Sequence, residues 1–129
     1  MYPNSYRQKA GQYASVQTSS QIEDASPHQL IVMLMEGFLA RVNSAKGAIV
    51  QKDVEAKNVF INKAIGIIGG LHEALDLEKG GEIAQNLNNL YTYISKRLFQ
   101  ASIENNTEML DEVAGLMREI KGGWDAIKT

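Results

Sequence analysis

Residues 26–50 read SPHQLIVMLMEGFLARVNSAKGAIV, and this stretch decides the fold class. Its apolar residues recur in steps of three and four, the spacing of an amphipathic helix, whereas the residues of a strand would alternate in steps of two. They are Ile31, Leu34, Phe38, Val42, Ala45 and Ile49. Ser26 can cap the first free N–H groups, Pro27 lacks an N–H where none is needed, and Gln29 can complete a capping box. The stretch predicts a helix over residues 27–50.

Three later stretches repeat this periodicity. The apolar steps run over Ile61, Ala64, Ile68, Leu71 and Leu75, then over Ile83, Leu87, Leu90, Ile94, Leu98 and Ala101, and last over Leu110, Val113, Met117, Ile120, Trp124 and Ile127. Asp53 can cap the second helix, and Asn105 or Asn106 can cap the fourth. Gly80 and Gly81 can end the second helix and open the third. These signals predict helices over 27–50, 54–78, 82–103 and 107–128.

The connections between the predicted helices are only a few residues long. The only prolines are Pro3 and Pro27, so no proline breaks a helix after the first one has begun. Helices of similar length joined by short turns run antiparallel to their neighbours. We therefore expect an all-α fold, an antiparallel up-down-up-down four-helix bundle over residues 26–129. Residues 1–25 are polar and rich in Ser and Gln, and we expect them to form a flexible, mobile N-terminal tail.

Composition excludes several classes of protein. The chain has 129 residues, no cysteine and a net charge of −2. The lack of cysteine excludes disulfides and fits a reducing compartment. The 13 Lys and Arg residues are scattered along the chain, which is unlike the basic patch of a nucleic-acid-binding protein. There is no signal-peptide pattern and no apolar run long enough for a membrane span. We expect a cytoplasmic protein, in the cytosol, that binds no nucleic acid and does not insert into a membrane.

The two histidines do not indicate a catalytic or metal site. Neither has a glutamate three residues before it, as the Glu-x-x-His motifs of di-iron bundles require. We expect His28, in a first helical turn, to be exposed to solvent, and His72 to be hydrogen-bonded at the edge of the core. A histidine-phosphotransfer or other signalling bundle is the alternative, although the His-x-x-Lys-Gly pattern typical of that class is absent at His72. We expect no catalytic residue, no metal and no cofactor, and therefore not an enzyme.

The second and third predicted helices carry more apolar residues than one buried stripe needs. Glycines at 66, 69 and 70 either let a partner approach the second helix closely or tighten its packing inside the bundle. We predict that the residues off the stripe line a groove that binds an amphipathic segment of a partner. They are Val59, Phe60, Gly66, Ile67, Gly70, Leu77, Tyr91, Tyr93, Phe99 and Ile103.

The N-terminal tail contains three of the five tyrosines, Tyr2, Tyr6 and Tyr13, in a segment that cannot form a core of its own. A tethered tail with these rings can cover an empty groove and hide its apolar surface from water. Rings that are simply solvated are the alternative, because terminal segments are often disordered.

Four motifs together carry a family resemblance. ASPHQLIVMLMEG (25–37), LDLEKGGEIAQNL (75–87), NLYTYI (89–94) and the late Trp124 resemble the flagellin export chaperone family, FliS, over essentially the whole chain. This resemblance implies a small cytoplasmic four-helix bundle that binds the disordered C-terminal region of flagellin. It also implies that the protein prevents premature polymerisation of flagellin and assists its delivery in flagellar type III secretion.

The resemblance further implies partners at the flagellar export gate and among other flagellar regulators, and it leaves a monomer and a weak homodimer both open. In the family the tail is thought to occupy the flagellin site. The resemblance therefore implies that Tyr6, Tyr13 and Ile22 cover that site when flagellin is absent. This chain departs from the commoner family pattern in two places. It has Leu34-Met35-Glu36-Gly37 where many members carry Leu-Tyr-Asp-Gly, and Gly69-Gly70 where a polar and charged pair is usual.

Overall fold

Four helices make up the fold. The computed structural model describes residues 24–127, except for the side chains of residues 77–79. Within that range the helices are α1 (Pro27–Val50), α2 (Val54–Glu73), α3 (Leu77–Glu104) and α4 (Thr107–Asp125). The connections are the three residues 51–53, the three residues 74–76 and the two residues 105–106. The prediction of an all-α fold is confirmed.

The helix starts follow the predicted capping chemistry. The Ser26 hydroxyl accepts a hydrogen bond from the Gln29 N–H at 3.2 Å, and the Gln29 side chain accepts one from the Ser26 N–H at 2.8 Å, which completes the capping box. Asp53 at α2 and Asn106 at α4 each accept from the N–H three residues further on, at 3.0 and 3.1 Å. Each cap satisfies an N–H that the helix itself leaves without a partner.

Helix α3 begins earlier than the sequence predicts, because a first turn forms before the glycine pair. Gly81 interrupts this helix with φ 56° and ψ −134°, a conformation that glycine adopts without the strain a Cβ would bring. Its neighbour Gly80 is also constrained, because a Cβ there would come within 2.4 Å of the Cβ of Ala84. The two glycines therefore allow the turn after α2 to join the long part of α3.

The four helices form a closed ring in which each one packs against two neighbours. Helix α1 packs against α2 and α4, and α3 packs against the same two helices. Lys46, near the end of α1, bonds Asp111, near the start of α4, and Lys57, near the start of α2, bonds Ser102, near the end of α3. Such contacts between opposite ends show that neighbouring helices run antiparallel.

The core lies inside the ring and consists mainly of the predicted apolar stripes. Its largest fully buried side chains include Phe38 of α1, Ile68 of α2, Leu98 of α3 and Met117 of α4. Two predicted stripe residues are exceptions, and there the prediction is wrong.

Ile83 and Ile127 are 74% and 51% exposed. They lie at the end of the bundle where α2 stops at Glu73 and α4 at Asp125, so no neighbouring helix remains to cover them.

Candidate partner-binding surfaces

Three residues of the predicted groove lie inside the bundle. Ile67 and Tyr91 are 1% and 3% exposed, and Gly70 is also buried. They were expected off the buried stripe because one stripe per helix was assumed. In a closed ring each helix packs against two neighbours, so its buried arc extends onto both flanks. A Cβ placed on Gly37 of α1 would lie 3.5 Å from Cδ1 of Ile67, so Ile67 packs against α1.

Two explanations were given for the glycines of α2, and different glycines fit each of them. Gly70 is buried in the bundle, which fits the tighter-packing explanation. Gly69 faces open space, because a Cβ there would meet no atom within 4 Å. Phe60 and Gly66 are half-buried, and Phe60 packs against the edge of the core.

Three predicted residues are exposed apolar side chains on the outside of α2 and α3. Val59 is 46% exposed, Phe99 57% and Ile103 81%. The bond from Lys57 of α2 to the Ser102 carbonyl sets the level of the two helices and places these three side chains near the same end of the bundle. The side chains within one helical turn of Val59 and Phe99 include the charged Glu55, Lys63 and Lys96, and the uncharged Asn58, Asn62 and Ser95 lie on the same two helices. We call Val59, Phe99 and Ile103 the α2–α3 face.

The other predicted residues lie elsewhere. Tyr93 is 41% exposed on the opposite flank of α3, where its hydroxyl donates a hydrogen bond to Glu112 of α4 at 2.6 Å. The side chain of Leu77 and the proposed gating residues Tyr6, Tyr13 and Ile22 lie outside the described part of the chain.

Sequence reasoning missed Lys57, which supports the α2–α3 face from inside. It is only 7% exposed, and its Nζ donates to the Ser102 carbonyl at 2.9 Å and to Asn105 Oδ1 at 2.8 Å. The charge therefore sits at the C-terminus of α3, where free carbonyls and the helix dipole favour a cation. The signal was present in the sequence, because Lys57 is four residues before Ile61 and so in register with the apolar stripe of α2.

His72 joins α2 to α3. Its Nε2 is hydrogen-bonded to Asn88 Oδ1, and its ring meets the ring of Tyr91 edge-on with centroids 5.9 Å apart. The prediction of a hydrogen-bonded histidine at the edge of the core is confirmed. Burial raises the pKa of the neighbouring Tyr91 to about 12, because the ionised phenolate would lose its hydration.

This raised pKa predicts alkaline destabilisation. Tyr91 titrates near 10 in the unfolded chain and near 12 in the folded one, so its contribution to stability is complete below pH 10 and is lost as the pH rises towards 12. We expect this residue alone to lower the free energy of unfolding by about 2–3 kcal/mol between those limits. Urea unfolding at pH 8, 10 and 11.5 measures the loss. Tyr91→Phe should show a smaller loss than the wild type, and an identical loss in both proteins would contradict the assignment.

His28 is not exposed as predicted, because α4 returns to the start of α1 and covers it. The rings of His28 and Trp124 stack at 9° with centroids 4.9 Å apart. The His28 ring Nε2 bonds the Trp124 carbonyl oxygen at 2.8 Å, and the Trp124 indole N–H donates to the His28 carbonyl at 3.1 Å. The two residues tie the first turn of α1 to the last turn of α4.

A polar clasp joins α3 to α4 on the exterior. Glu112 accepts hydrogen bonds from the Tyr93 hydroxyl and from Arg97 Nε, the latter at 2.8 Å, and the guanidinium lies 5.9 Å from the Tyr93 ring centre. The Tyr93 hydrogen bond and then Arg97 lower the pKa of Glu112. The Glu112 hydrogen bond raises the pKa of Tyr93 and also that of Arg97. We call Tyr93, Arg97 and Glu112 the clasp.

The described residues contain no cluster that could hold a metal ion. Over residues 24–127 no group of three or more His, Asp or Glu side chains is placed to hold a metal ion. None of the helices in the same range has the length and apolar character needed to cross a bilayer.

A shallow open depression between α1 and α4 contains equal numbers of acidic and basic groups. It is lined by Glu36, Leu39, Arg118, Lys121, Gly122 and Asp125.

Comparison with known proteins gives a consistent result. The family model described as "Flagellar protein FliS" matches residues 9–129. The flagellar secretion chaperone FliSB of Pseudomonas aeruginosa is 51% identical over 116 residues, which cover 90% of this chain and 92% of the relative. The flagellar secretion chaperone FliS of Salmonella typhimurium is 46% identical over 116 residues, or 89% of this chain and 86% of the relative. That of Bacillus subtilis is 35% identical over 112 residues, or 87% and 82%.

Proposed function

This chain belongs to the flagellar protein FliS family, and from that membership we propose that it is a flagellar secretion chaperone and not an enzyme. Its client is flagellin. The chaperone binds the disordered C-terminal region of flagellin in the cytosol, prevents premature polymerisation and assists type III export.

The observation that carries this proposal is the α2–α3 face. Phe99 and Ile103 are large apolar side chains that remain 57% and 81% exposed. Exposed apolar patches on a small protein often mark binding sites for other proteins. Helical segments of a client can lie on this face with apolar residues at steps of three and four, as in other complexes where a helix occupies a groove.

The same face suits a client that is disordered before it binds. Ordering such a segment costs conformational entropy for every residue, so a stable complex needs a long segment and a large apolar contact. The uncharged side chains Asn58, Asn62 and Ser95 can exchange hydrogen bonds with a client without the cost of burying a charge.

The N-terminal tail is proposed as a gate on this site. The tail was predicted over residues 1–25, but Ala25 is buried in the core of the bundle, so in this proposal the flexible unit ends before it. Tyr6, Tyr13 and Ile22 then compete with flagellin for the apolar surface. A tail that favours the docked state by about 1.4 kcal/mol lowers the apparent affinity for flagellin about tenfold. Further partners at the export gate and among other flagellar regulators, and a monomer or weak homodimer, belong to the same proposal.

Titration calorimetry with a C-terminal flagellin fragment tests the function. The full chain and a chain without residues 1–24 are each titrated at several temperatures. We expect one-to-one binding, a large negative heat-capacity change from apolar burial, and about tenfold tighter binding by the shortened chain. Absence of binding to both chains would refute the chaperone function, whereas equal affinities would refute only the gate.

A further inference from the structure

The α2–α3 face is flanked by charged side chains whose sign differs at its two ends. On α2, Glu55 lies one helical turn before Val59 and Lys63 lies one turn after it. On α3, Lys96 lies one turn before Phe99. All three charged side chains are exposed, so they are free to contact another molecule.

A hydrogen bond between the two helices shows which of these charges lie level with each other. Lys57 of α2 bonds the carbonyl of Ser102 on α3 at 2.9 Å. Because the helices are antiparallel, six residues onward along α2 and six residues back along α3 lead to Lys63 and Lys96. These two cations therefore lie together at one end of the face. Glu55 lies at the other end, about 12 Å from Lys63 along the α2 axis.

Neighbouring charged residues do not remove this difference between the ends. Lys52 and Asp53 follow each other in the turn beyond Glu55, and their charges offset one another. Glu104 is eleven residues, or about three turns, after Tyr93. It therefore shares the flank of α3 that faces α4, away from the α2–α3 face. The α2–α3 face thus has an apolar middle, one acidic end and one basic end.

Such a face is complementary to a second copy of itself in one orientation. Two copies related by a two-fold axis across the helices face each other end to end, so that Glu55 of each lies against Lys63 and Lys96 of the other. Their apolar side chains then meet in the middle. The parallel orientation brings like charges together and is disfavoured. We propose that the α2–α3 face is the interface of an antiparallel homodimer of this chain.

The small size of the face makes this dimer weak. Stable interfaces bury about 800 Å² on each partner, and three exposed apolar side chains within about 12 Å of helix supply less. We therefore expect a dissociation constant on the order of 100 µM. A longer client forms a larger contact and displaces the second copy. This displacement, unlike the dimer itself, rests on the proposed function, because it requires flagellin to use the same face.

Sedimentation equilibrium of the full chain from about 5 to 500 µM tests the dimer. We expect the mass to rise from monomer towards dimer, and the association to weaken as salt is raised. Phe99→Ser/Ile103→Ser should remain monomeric, whereas the matched Ile83→Ser should pair like the wild type. A full chain that is monomeric throughout would overturn the proposal. Pairing only after removal of residues 1–23 would also overturn it, because those residues would then be the occupant of the face.

Charge reversal tests the antiparallel orientation. Glu55→Lys alone and Lys63→Glu/Lys96→Glu alone should each pair at least tenfold more weakly than the wild type, because each brings like charges together. A mixture of the two variants should form dimers again, since every contact then joins opposite charges. Glu119→Lys makes the same change of charge on α4 and should pair like the wild type. Normal pairing of either reversed variant alone, or no recovery in the mixture, would overturn the proposal.

The C-terminal flagellin fragment tests whether the client uses the same face. Added to the dimer, it should produce one-to-one complexes and remove the dimer from the sedimentation profile. A dimer that persists with the fragment bound would contradict a shared face. Failure of the fragment to bind would refute the proposed function alone, because the dimer is measured without it.

Discussion

Phe38→Ala should lower the free energy of unfolding by about 3–5 kcal/mol, the usual cost of removing a buried aromatic ring. Phe38 is completely buried in the middle of α1, and the core around it is formed by all four helices. A small domain is stable by only about 5–15 kcal/mol, so this variant should be close to unfolded at physiological temperature. Urea denaturation followed by helical circular dichroism measures the change.

Phe99→Ala is the matched control, since it removes the same ring from a site that is 57% exposed. It should cost less than about 1 kcal/mol, because the folded protein loses little buried area there. The pair therefore separates the two roles of phenylalanine in this chain, core packing at one position and partner contact at the other. Similar losses in both variants would show that Phe99 belongs to the core and would remove it from the α2–α3 face.

Lys57→Met should lower the free energy of unfolding by about 2–3 kcal/mol, although it replaces a buried charge with an apolar side chain of similar length. The variant leaves the Ser102 carbonyl and the Asn105 side chain without the charged donor that bonds both. A hydrogen bond to a charged group contributes about 1.5–3 kcal/mol, and the half-buried Ser102 loses more than the exposed Asn105, which water can reach. Asn105 also has φ 52°, the left-handed conformation that Asn commonly adopts after a helix, so the variant removes a hydrogen bond that holds the turn between α3 and α4.

Lys63→Met provides the comparison on the same helix. Lys63 is exposed, so its replacement should change stability by less than about 0.5 kcal/mol. Chemical denaturation of both variants at pH 7 measures the difference. If Lys57→Met is as stable as the wild type, Lys57 does not hold the end of α3 as described.

The sequence allowed the main features of the fold to be predicted because they depend on local signals. Helical periodicity located the four helices, and Ser26 and Asp53 act as the caps that their chemistry suggests. The turn before α3 was less predictable, because the backbone at Gly81 depends on how the turn after α2 meets the long part of α3. Exposure at the end of the bundle, as at Ile83, likewise depends on where the neighbouring helices stop.

The candidate site was harder to predict because exposure is a tertiary property. A helical wheel shows that Ile67 and Tyr91 are off the main stripe, but it cannot show that a second neighbouring helix covers each of them. It places Tyr93 and Phe99 on different sides of α3, but it cannot show that Tyr93 is hydrogen-bonded to Glu112 of α4. Pairings across the bundle, such as His28 with Trp124, join residues far apart in sequence and give no local signal.

The central claim is that the α2–α3 face holds the C-terminal region of flagellin, and calorimetry on surface variants tests it most directly. The double variant Phe99→Ser/Ile103→Ser should keep the circular dichroism spectrum of the wild type and bind the flagellin fragment about 100-fold more weakly, a loss of about 2.7 kcal/mol. Ile83→Ser, at the open end of the bundle and far along α3 from Phe99, should bind the fragment like the wild type. An unchanged affinity in the folded double variant, or an equal loss in Ile83→Ser, would contradict the account.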